Sequence, residues 1–296
     1  MSYDALPELG DLGVRHAWDV WPNALGTLNR ITPESVLRAL TIPRHGRRIS
    51  LDLPLGSIDP PLYGRNQLTH RVFDRNRNMV EDELTDLDPQ ASTQWDSLRH
   101  IRAGKFGHFR GAAGPELGID AFAGHGLVMR AVLLDLPAYW GQPFDAFTER
   151  PVTAAELAAC AEQASVTFHE GDLLLVRTGW LAAYRSRGGV PDDLLSMPTC
   201  VGLDASADMA RFLWDSGCCA VAADNPAVEV LPGSREVGSL HRRLIPALGM
   251  PIGELWDLEE LAAASAGSGR YEACVVSVPL RVPGGVASPA NAVAII

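Results

Sequence analysis

Four polar residues that could carry chemistry lie within eleven residues of the chain: Gln90, Gln94, Asp96 and His100. A carboxylate and an imidazole four residues apart can reach one cation, either on a turn of helix or where an extended segment turns. Both groups are ligands for Zn²⁺ or Mn²⁺. The two amides are poor zinc ligands, but they could hydrogen-bond a substrate carbonyl or a water. The segment therefore indicates a metal site with polar groups beside it.

The same residues also have a structural interpretation. Asp96 could be the N-cap of a helix that starts in the sequence Ser-Leu-Arg-His-Ile, with His100 a polar residue on that helix. An isolated Asp-x-x-x-His pair is a weak signal for a metal. On these residues alone, both interpretations stand.

Length and composition limit the class of protein. A chain of 296 residues with 47% hydrophobic content can bury a large core, as one sizeable domain or two closely packed ones. No repeat, low-complexity tract or linker divides it, so we predict a single domain over residues 1–296 with an irregular N-terminal arm over about residues 1–30. The net charge of −11 argues against nucleic acid or an anionic membrane as a partner.

The five cysteines are odd in number, scattered and without a CxxC pair, which indicates neither a disulfide framework nor a cysteine zinc site. The first residues have no apolar core of signal-peptide length, and no uninterrupted apolar run is long enough to span a membrane. We therefore expect a cytoplasmic protein.

Capping residues and apolar runs predict an alternation of helices and buried strands, which is typical of an α/β fold. Helices are expected after Thr32-Pro33, after Thr153 and over 204–216, and strands over 130–136, 172–178 and the sequence CAVAAD. The last strand ends at Asp224 and Asn225. Chemistry in α/β proteins is often placed at strand ends, although Asp224 could also only brace the next loop.

Residues 56–90 are polar and are interpreted as a solvated loop. Five basic residues lie close together there and could also meet an acidic substrate: Arg65, His70, Arg71, Arg75 and Arg77.

The segment TQWDSLRH resembles the signature of the cyclase family of metal-dependent hydrolases, which includes bacterial kynurenine formamidase and isatin hydrolase. The usual form is His-x-Gly-Thr-His-x-Asp-x-Pro-x-His. Here Thr93, Asp96 and His100 match, while Gln90 and Gln94 stand in place of the first two histidines. Further segments resemble family landmarks in the family's order: LGTLNRITPESVLRAL, ISLDLPL, RAVLLDLP, GDLLLVRTGW, AADNPAVEV and the stretch from His241 to Glu254.

The resemblance implies a compact swivelling β/β/α fold with a mixed β core, assembled as a homodimer or homotetramer. It also implies that Asp96, His100, His241 and Glu254 hold a metal. The two glutamines fall on the other metal position of the family pattern, so one divalent metal, zinc or manganese, is expected rather than two.

The expected activity is a hydrolase that opens an amide or lactone bond of a small cyclic or aromatic substrate through a metal-activated water. Gln94 is the candidate donor to the oxyanion, His100 the candidate base, and Glu254 a ligand or proton shuttle. Substrate contacts are expected from Gln90, Trp95 and Asp224.

Two alternatives remain open. The glutamines could abolish metal binding and leave a metal-independent cyclase or dehydratase, or the protein could be a non-catalytic small-ligand-binding homologue.

Overall fold

The computed structural model describes residues 1–10 and 12–296 of the chain. Within this range, nine strands form one mixed sheet in the order β1-β13-β11-β5-β7-β9-β10-β4-β12. Two further pairs, β2-β3 and β6-β8, lie outside it. The strands are β1 (Arg48–Ser50), β2 (Thr69–Asn76), β3 (Met79–Thr85), β4 (Gln94–Asp96), β5 (Leu127–Asp135), β6 (Pro151–Val152), β7 (Leu173–Arg177), β8 (Gly202–Leu203), β9 (Ala220–Ala223), β10 (Ile252–Glu254), β11 (Glu272–Ser277), β12 (Ala287–Pro289) and β13 (Ala292–Ile295).

The helices surround this sheet. They are α1 (Pro33–Leu40), α2 (Asp120–His125), α3 (Leu136–Trp140), α4 (Ala154–Gln163), α5 (Trp180–Arg187), α6 (Ala207–Asp215), α7 (Leu240–Arg242), which continues as a π-helix over Arg243–Leu248, and α8 (Glu259–Ser268). Short 3-10 turns occupy Tyr3–Ala5, Gly26–Arg30, Leu62–Gly64, Gly104–Phe106, Phe109–Gly111, Pro115–Leu117 and Asp192–Leu194. Among the described residues, no helix is both long and apolar enough to cross a membrane.

The middle of the sheet is parallel. β5, β7, β9 and β10 run in the same direction, and antiparallel neighbours flank them on both sides. The parallel strands β5, β7 and β9 are near-continuous runs of Leu, Val and Ala, because both faces of these strands are covered. The predicted strands and the mixed α/β architecture are confirmed.

The predicted helices form, and their caps explain where they begin. Thr32 accepts a hydrogen bond from the Ser35 amide at 3.2 Å, and Ser35 Oγ accepts one from the Thr32 amide at 2.9 Å. Thr153 accepts one from the Glu156 amide at 3.2 Å. Helix α6 begins later than the predicted 204, because Ser206 provides the N-cap by accepting from the Met209 amide. These local contacts satisfy amides that lack a partner in the first helical turn.

The prediction of a loop throughout residues 56–90 is wrong for its second half. β2 and β3 form an antiparallel hairpin in which Thr69 pairs with Thr85 and Asn76 with Met79. Charged side chains pair across the two strands. Arg71 stands opposite Glu83, with Arg71 Nε 3.4 Å from Glu83 Oε1, and His70 Nε2 lies 2.9 Å from Asp82 Oδ2 on the diagonal. Cross-strand ion pairs of this kind support a hairpin. The high charge of this segment therefore reflects a solvent-exposed pair of strands and not a loop.

The N-terminal arm is held to the body at Gly26 and Thr27. The Thr27 amide donates to the Gly249 carbonyl at 2.8 Å, and Thr27 Oγ1 donates to the Cys219 carbonyl at 2.6 Å. Gly26 has a φ of +53°, and a Cβ added there would overlap the backbone oxygen of Gly249. Only glycine fits this close approach.

Replacing Gly26 by Ala should therefore lower the free energy of unfolding by about 3 kcal/mol or more, because backbone strain and overpacking add. Gly46→Ala is a matched control, since Gly46 also has a positive φ, +66°, but has no atom within 4 Å of the added Cβ. It should cost about 1 kcal/mol. Urea unfolding of both variants measures the difference, and equal losses would contradict the close contact.

Candidate metal centre

Two short paired strands supply the centre of the site. β4 and β10 are antiparallel, with Gln94 opposite Glu254. Side chains alternate along a strand, so Gln94 and Asp96 project from the same face of β4, and Glu254 projects with its cross-strand neighbour Gln94. Asp96 is the last residue of β4, and a turn follows it. The alternative interpretation of Asp96 as a helix N-cap is therefore wrong.

Buried hydrogen bonds hold these strands in place. The Leu53 amide donates to Thr93 Oγ1 at 2.9 Å, and the same hydroxyl donates to the Leu255 carbonyl at 2.5 Å. Trp256 Nε1 donates to the Gln94 carbonyl at 3.0 Å. The backbone beneath the site is therefore fixed from both strands.

Three side chains of metal-ligand type converge above these strands. Asp96, His241 and Glu254 each offer one ligand atom, and the three atoms lie within 4.8 Å of one another. His241 reaches the site from α7, with its Nε2 3.1 Å from Glu254 Oε1. Asp96 is fully buried, Glu254 is 4% exposed and the His241 side chain is 13% exposed. One imidazole and two carboxylates form a donor set that suits a divalent cation.

Unsatisfied polar atoms show that this set fits a cation. Asp96 Oδ2 is buried without a hydrogen-bond partner, and a buried, unpaired carboxylate oxygen is costly. Asp96 Oδ1 accepts from Gln90 Nε2 at 2.8 Å, and Glu254 Oε2 accepts from Gln94 Nε2. Each carboxylate thus has one oxygen fixed by an amide, which leaves Asp96 Oδ2 and Glu254 Oε1 for a metal.

The electrostatics of the site agree with this fit. Burial raises the pKa of Asp96 well above its ordinary value, and the neighbouring charge of Glu254 raises it further. Burial disfavours a charged His241, yet its hydrogen bonds to Glu229 and Glu254 raise its pKa well above the ordinary value. Two buried carboxylates favour a nearby positive charge, and a divalent cation would balance the charge of both.

His100 lies beside the three converging residues. Its Nε2 is 3.8 Å from Asp96 Oδ2, and its ring centroid is 6.4 Å from that of His241. Burial lowers the pKa of His100 to about 4, so the ring is neutral at pH 7. The structure brings all four predicted ligand residues together, with His100 at the edge of the set.

The two glutamines differ from their predicted roles. Gln94 is fully buried and its amide nitrogen donates to Glu254, so it orients a carboxylate and does not face a substrate oxyanion. Gln90 Nε2 contacts Asp96 and lies 3.4 Å from each ring nitrogen of His100. Neither glutamine lines the cavity described below. Both predictions of direct substrate contact are therefore replaced by a positioning role.

Trp95 does not form a substrate pocket. It is fully buried in the hydrophobic core, its Nε1 donates to Ser277 Oγ at 2.9 Å, and its ring packs edge-on against Trp256. The reason is the alternation of β4, because Gln94 and Asp96 face the site and Trp95 must face away.

Asp224 forms its hydrogen bonds outside the candidate metal centre. Its Oδ1 accepts hydrogen bonds from the Thr178 amide and from Thr178 Oγ1 at 2.7 Å, and its Oδ2 accepts from the Gly179 amide at 2.9 Å. The side chain is fully buried. It braces the turn between β7 and α5, so the predicted substrate contact is wrong and the bracing interpretation is confirmed.

Sequence reasoning missed Glu229. Its carboxylate accepts a hydrogen bond from His241 Nδ1, and it also accepts from the Leu240 amide at 2.7 Å and from Ser239 Oγ at 3.1 Å. Burial would raise the pKa of Glu229, but the bond from His241 lowers it below its ordinary value. A carboxylate on the far nitrogen of a ligating histidine fixes the tautomer and ring orientation. The only sequence signal was a charged residue inside the apolar run Ala-Val-Glu-Val.

A cavity of about 680 Å³ opens over the site. Three of its lining residues belong to the site itself: His100, His241 and Glu254. The cavity falls within the volume range of about 300–1,000 Å³ that holds small molecules. A second cavity of about 700 Å³ shares His100, Ile101 and Arg242 with the first.

Solved structures of other proteins share this fold. A novel cyclase is 27% identical, with a TM-score of 0.83 over 95% of this chain and 99% of that one. Isatin hydrolase A from Labrenzia aggregata, bound to benzyl benzoate, is 17% identical, with a TM-score of 0.63 over 84% and 93%. A predicted metal-dependent hydrolase from Bacillus stearothermophilus is 19% identical, with a TM-score of 0.53 over 84% and 97%. The predicted cyclase-like fold is confirmed.

No curated protein matches the chain. The family model described as putative cyclase matches residues 37–230, about two thirds of the sequence. This match covers β4 with Asp96 and His100, and it extends to Glu229. The chain therefore belongs to the cyclase family.

Proposed function

We propose that the protein is a metal-dependent hydrolase that opens an amide or lactone bond of a small cyclic or aromatic substrate at one divalent cation, zinc or manganese. One observation carries the proposal: three buried ligand atoms of Asp96, His241 and Glu254 converge beneath a cavity, and Asp96 Oδ2 has no hydrogen-bond partner. The structural similarity to an isatin hydrolase and to a predicted metal-dependent hydrolase supports the reaction class.

When bound, a divalent cation supplies Lewis acidity, which polarises a carbonyl and lowers the pKa of water from ~15.7 to about 7. Asp96, His241 and Glu254 would hold it, with His100 as the fourth candidate ligand. Glu229 keeps the His241 ring turned so that Nε2 faces the site. Gln90 and Gln94 hold one oxygen of each carboxylate.

Proton movement falls to groups that line the cavity. A neutral His100 that does not ligate the cation can accept a proton, and Glu254 can carry one toward the leaving group if it is not itself a ligand. Both residues line the cavity. Because Gln94 does not line the cavity, the cation would have to stabilise the oxyanion.

The glutamines also bear on the number of metals. A second cation would need ligands where Gln90 and Gln94 stand. Both side chains bond the carboxylates of the first site through their amide nitrogens and could offer only neutral amide oxygens, which are poor zinc ligands. This arrangement supports a single-metal enzyme.

Assembly and location are part of the proposal. We propose a homodimer or homotetramer in the cytoplasm. The exposed face of the hairpin β2-β3 carries Val72, Val80 and Leu84, which are 60%, 63% and 47% exposed, and an isolated two-stranded hairpin is marginally stable in water. A second copy of the chain would cover it, and light scattering measures the mass directly. All five cysteines are unpaired, which agrees with a reducing compartment.

Turnover and metal dependence test the function together. Protein purified without a His tag is assayed on a panel of aryl formamides, cyclic amides and lactones, before and after chelation. We expect hydrolysis of at least one member, loss of that activity on chelation, and recovery with zinc or manganese. Full activity without metal would favour the metal-independent cyclase. No turnover by metal-loaded protein would favour the binding protein.

A further inference from the structure

Three guanidinium groups line the cavity above the candidate metal centre. They belong to Arg65, Arg235 and Arg242. Among the residues described, 1–10 and 12–296, no carboxylate forms an ion pair with any of the three, whereas Arg130 and Arg177 elsewhere in the fold are each held by carboxylates. Unpaired positive charge gathered in a concave surface attracts anions.

Arg65 is the anchored member of this set. It is half-buried, its Nη1 donates to the Gln90 carbonyl, and its guanidinium lies over the Tyr63 ring, 4.8 Å from the ring centroid. The side chain of the same Gln90 donates to Asp96. One residue therefore ties the guanidinium to the candidate metal ligands. Arg235 and Arg242 are exposed at the rim of the cavity.

The acidic groups of the cavity do not neutralise these arginines. Glu229 and Glu254 both lie against His241. A divalent cation would balance Asp96 and Glu254, and Glu229 would offset one arginine at most. With the cation bound, the cavity would keep an excess of positive charge in a chain whose net charge is −11.

We propose that the substrate carries its own carboxylate, separate from the bond that is hydrolysed, and that Arg65 holds it while Arg235 and Arg242 attract it at the rim. This inference rests on the proposed function, because it takes the bound molecule to be the substrate of the hydrolase. The planar fork of a guanidinium matches the two oxygens of a carboxylate, and one anchored fork suits one such group. Arg65 is then a specificity-determining residue that favours acidic lactones or amides over neutral ones.

Calorimetric titration with benzoate, benzamide and inorganic phosphate tests this without turnover. Benzoate and benzamide have the same ring and differ in charge. We expect wild-type protein to bind benzoate about 10-fold or more tightly than benzamide, as charge-assisted hydrogen bonds predict. Arg65→Gln should lose most of that preference without a change in benzamide binding. Equal binding of the two probes by wild type, or tighter binding of phosphate, would overturn the carboxylate assignment.

Two further variants test the role of the exposed arginines at the rim of the cavity. Arg242→Gln removes an exposed charge at the rim and should weaken benzoate binding more at low than at high salt. Arg44→Gln makes the same charge change at an exposed residue outside the cavity and should have no effect. If Arg242→Gln, like Arg44→Gln, leaves benzoate binding unchanged at low salt, the rim does not attract the anion. That result would overturn the role proposed for Arg242.

Titration of chelated protein separates this inference from the proposed function. A benzoate preference that survives chelation and depends on Arg65 supports the inference even if the hydrolase proposal fails. A preference that vanishes with the metal and is normal in Arg65→Gln shows that the cation binds the anion, which overturns the role of Arg65 while the hydrolase stands.

Discussion

Replacement of Asp96 by Asn should weaken metal binding more than about 100-fold and lower kcat/KM more than about 1,000-fold, yet leave the metal-free protein at least as stable as wild type. The variant loses a carboxylate ligand whose Oδ2 has no hydrogen-bond partner. It also removes one of two buried neighbouring carboxylates, which relieves an unfavourable burial of charge. Isothermal titration with zinc, steady-state kinetics and urea unfolding measure the three effects.

Asp224→Asn is the matched control for this variant. Asp224 is equally buried, but its carboxylate accepts hydrogen bonds from Thr178 and Gly179. The control should keep its metal and lose about 1–3 kcal/mol of stability. Zinc binding by Asp96→Asn as tight as that of wild type would contradict the assignment of Asp96 as a ligand. Strong destabilisation of the metal-free Asp96→Asn variant would show that Asp96 is a structural residue.

Replacement of Glu229 by Gln should lower metal affinity about 10- to 100-fold, although Glu229 is not a ligand. Its carboxylate accepts the hydrogen bond from His241 Nδ1 and so keeps Nε2 directed at Glu254. A glutamine can still accept from the Leu240 amide, so the fold should hold while the imidazole becomes less basic and less well oriented. Zinc titration of folded variant protein measures the change.

Glu259→Gln provides the comparison, because Glu259 is a half-buried carboxylate that holds a different cationic side chain, with its Oε1 2.7 Å from Arg177 Nε. Its metal affinity should equal that of wild type. A Glu229→Gln variant that binds zinc as tightly as the Glu259→Gln variant would remove Glu229 from the metal centre.

Local signals in the sequence predicted much of the fold. Helices α1 and α4 begin at predicted N-caps, and the buried strands β5, β7 and β9 follow apolar runs, because capping and burial depend on neighbouring residues. The hairpin β2-β3 was missed, because both strands are largely exposed to solvent and charged residues interrupt their apolar positions.

The candidate site was predictable only in part. Asp96 and His100 could be linked by their spacing because they are close in sequence. His241 and Glu254 are distant in sequence, so only the family resemblance could link them to the same site. The prediction that Trp95 lines a substrate pocket was wrong because side chains alternate along β4. Trp95 lies between Gln94 and Asp96, which face the site, so it faces the core. Glu229 was missed because it reaches the site only through its tertiary contact with His241. Arg65 was one of five basic residues considered for contact with an acidic substrate, and only its tertiary contact with the Gln90 carbonyl places it at the cavity.

Metal content per chain tests the central claim most directly. Elemental analysis of protein purified without a His tag is made on wild type and on His241→Ala. The three converging ligands predict about one zinc or manganese per wild-type chain and almost none in the variant. A wild-type protein that holds no metal after incubation with both ions, or a variant that keeps its full metal content, would contradict the metal centre.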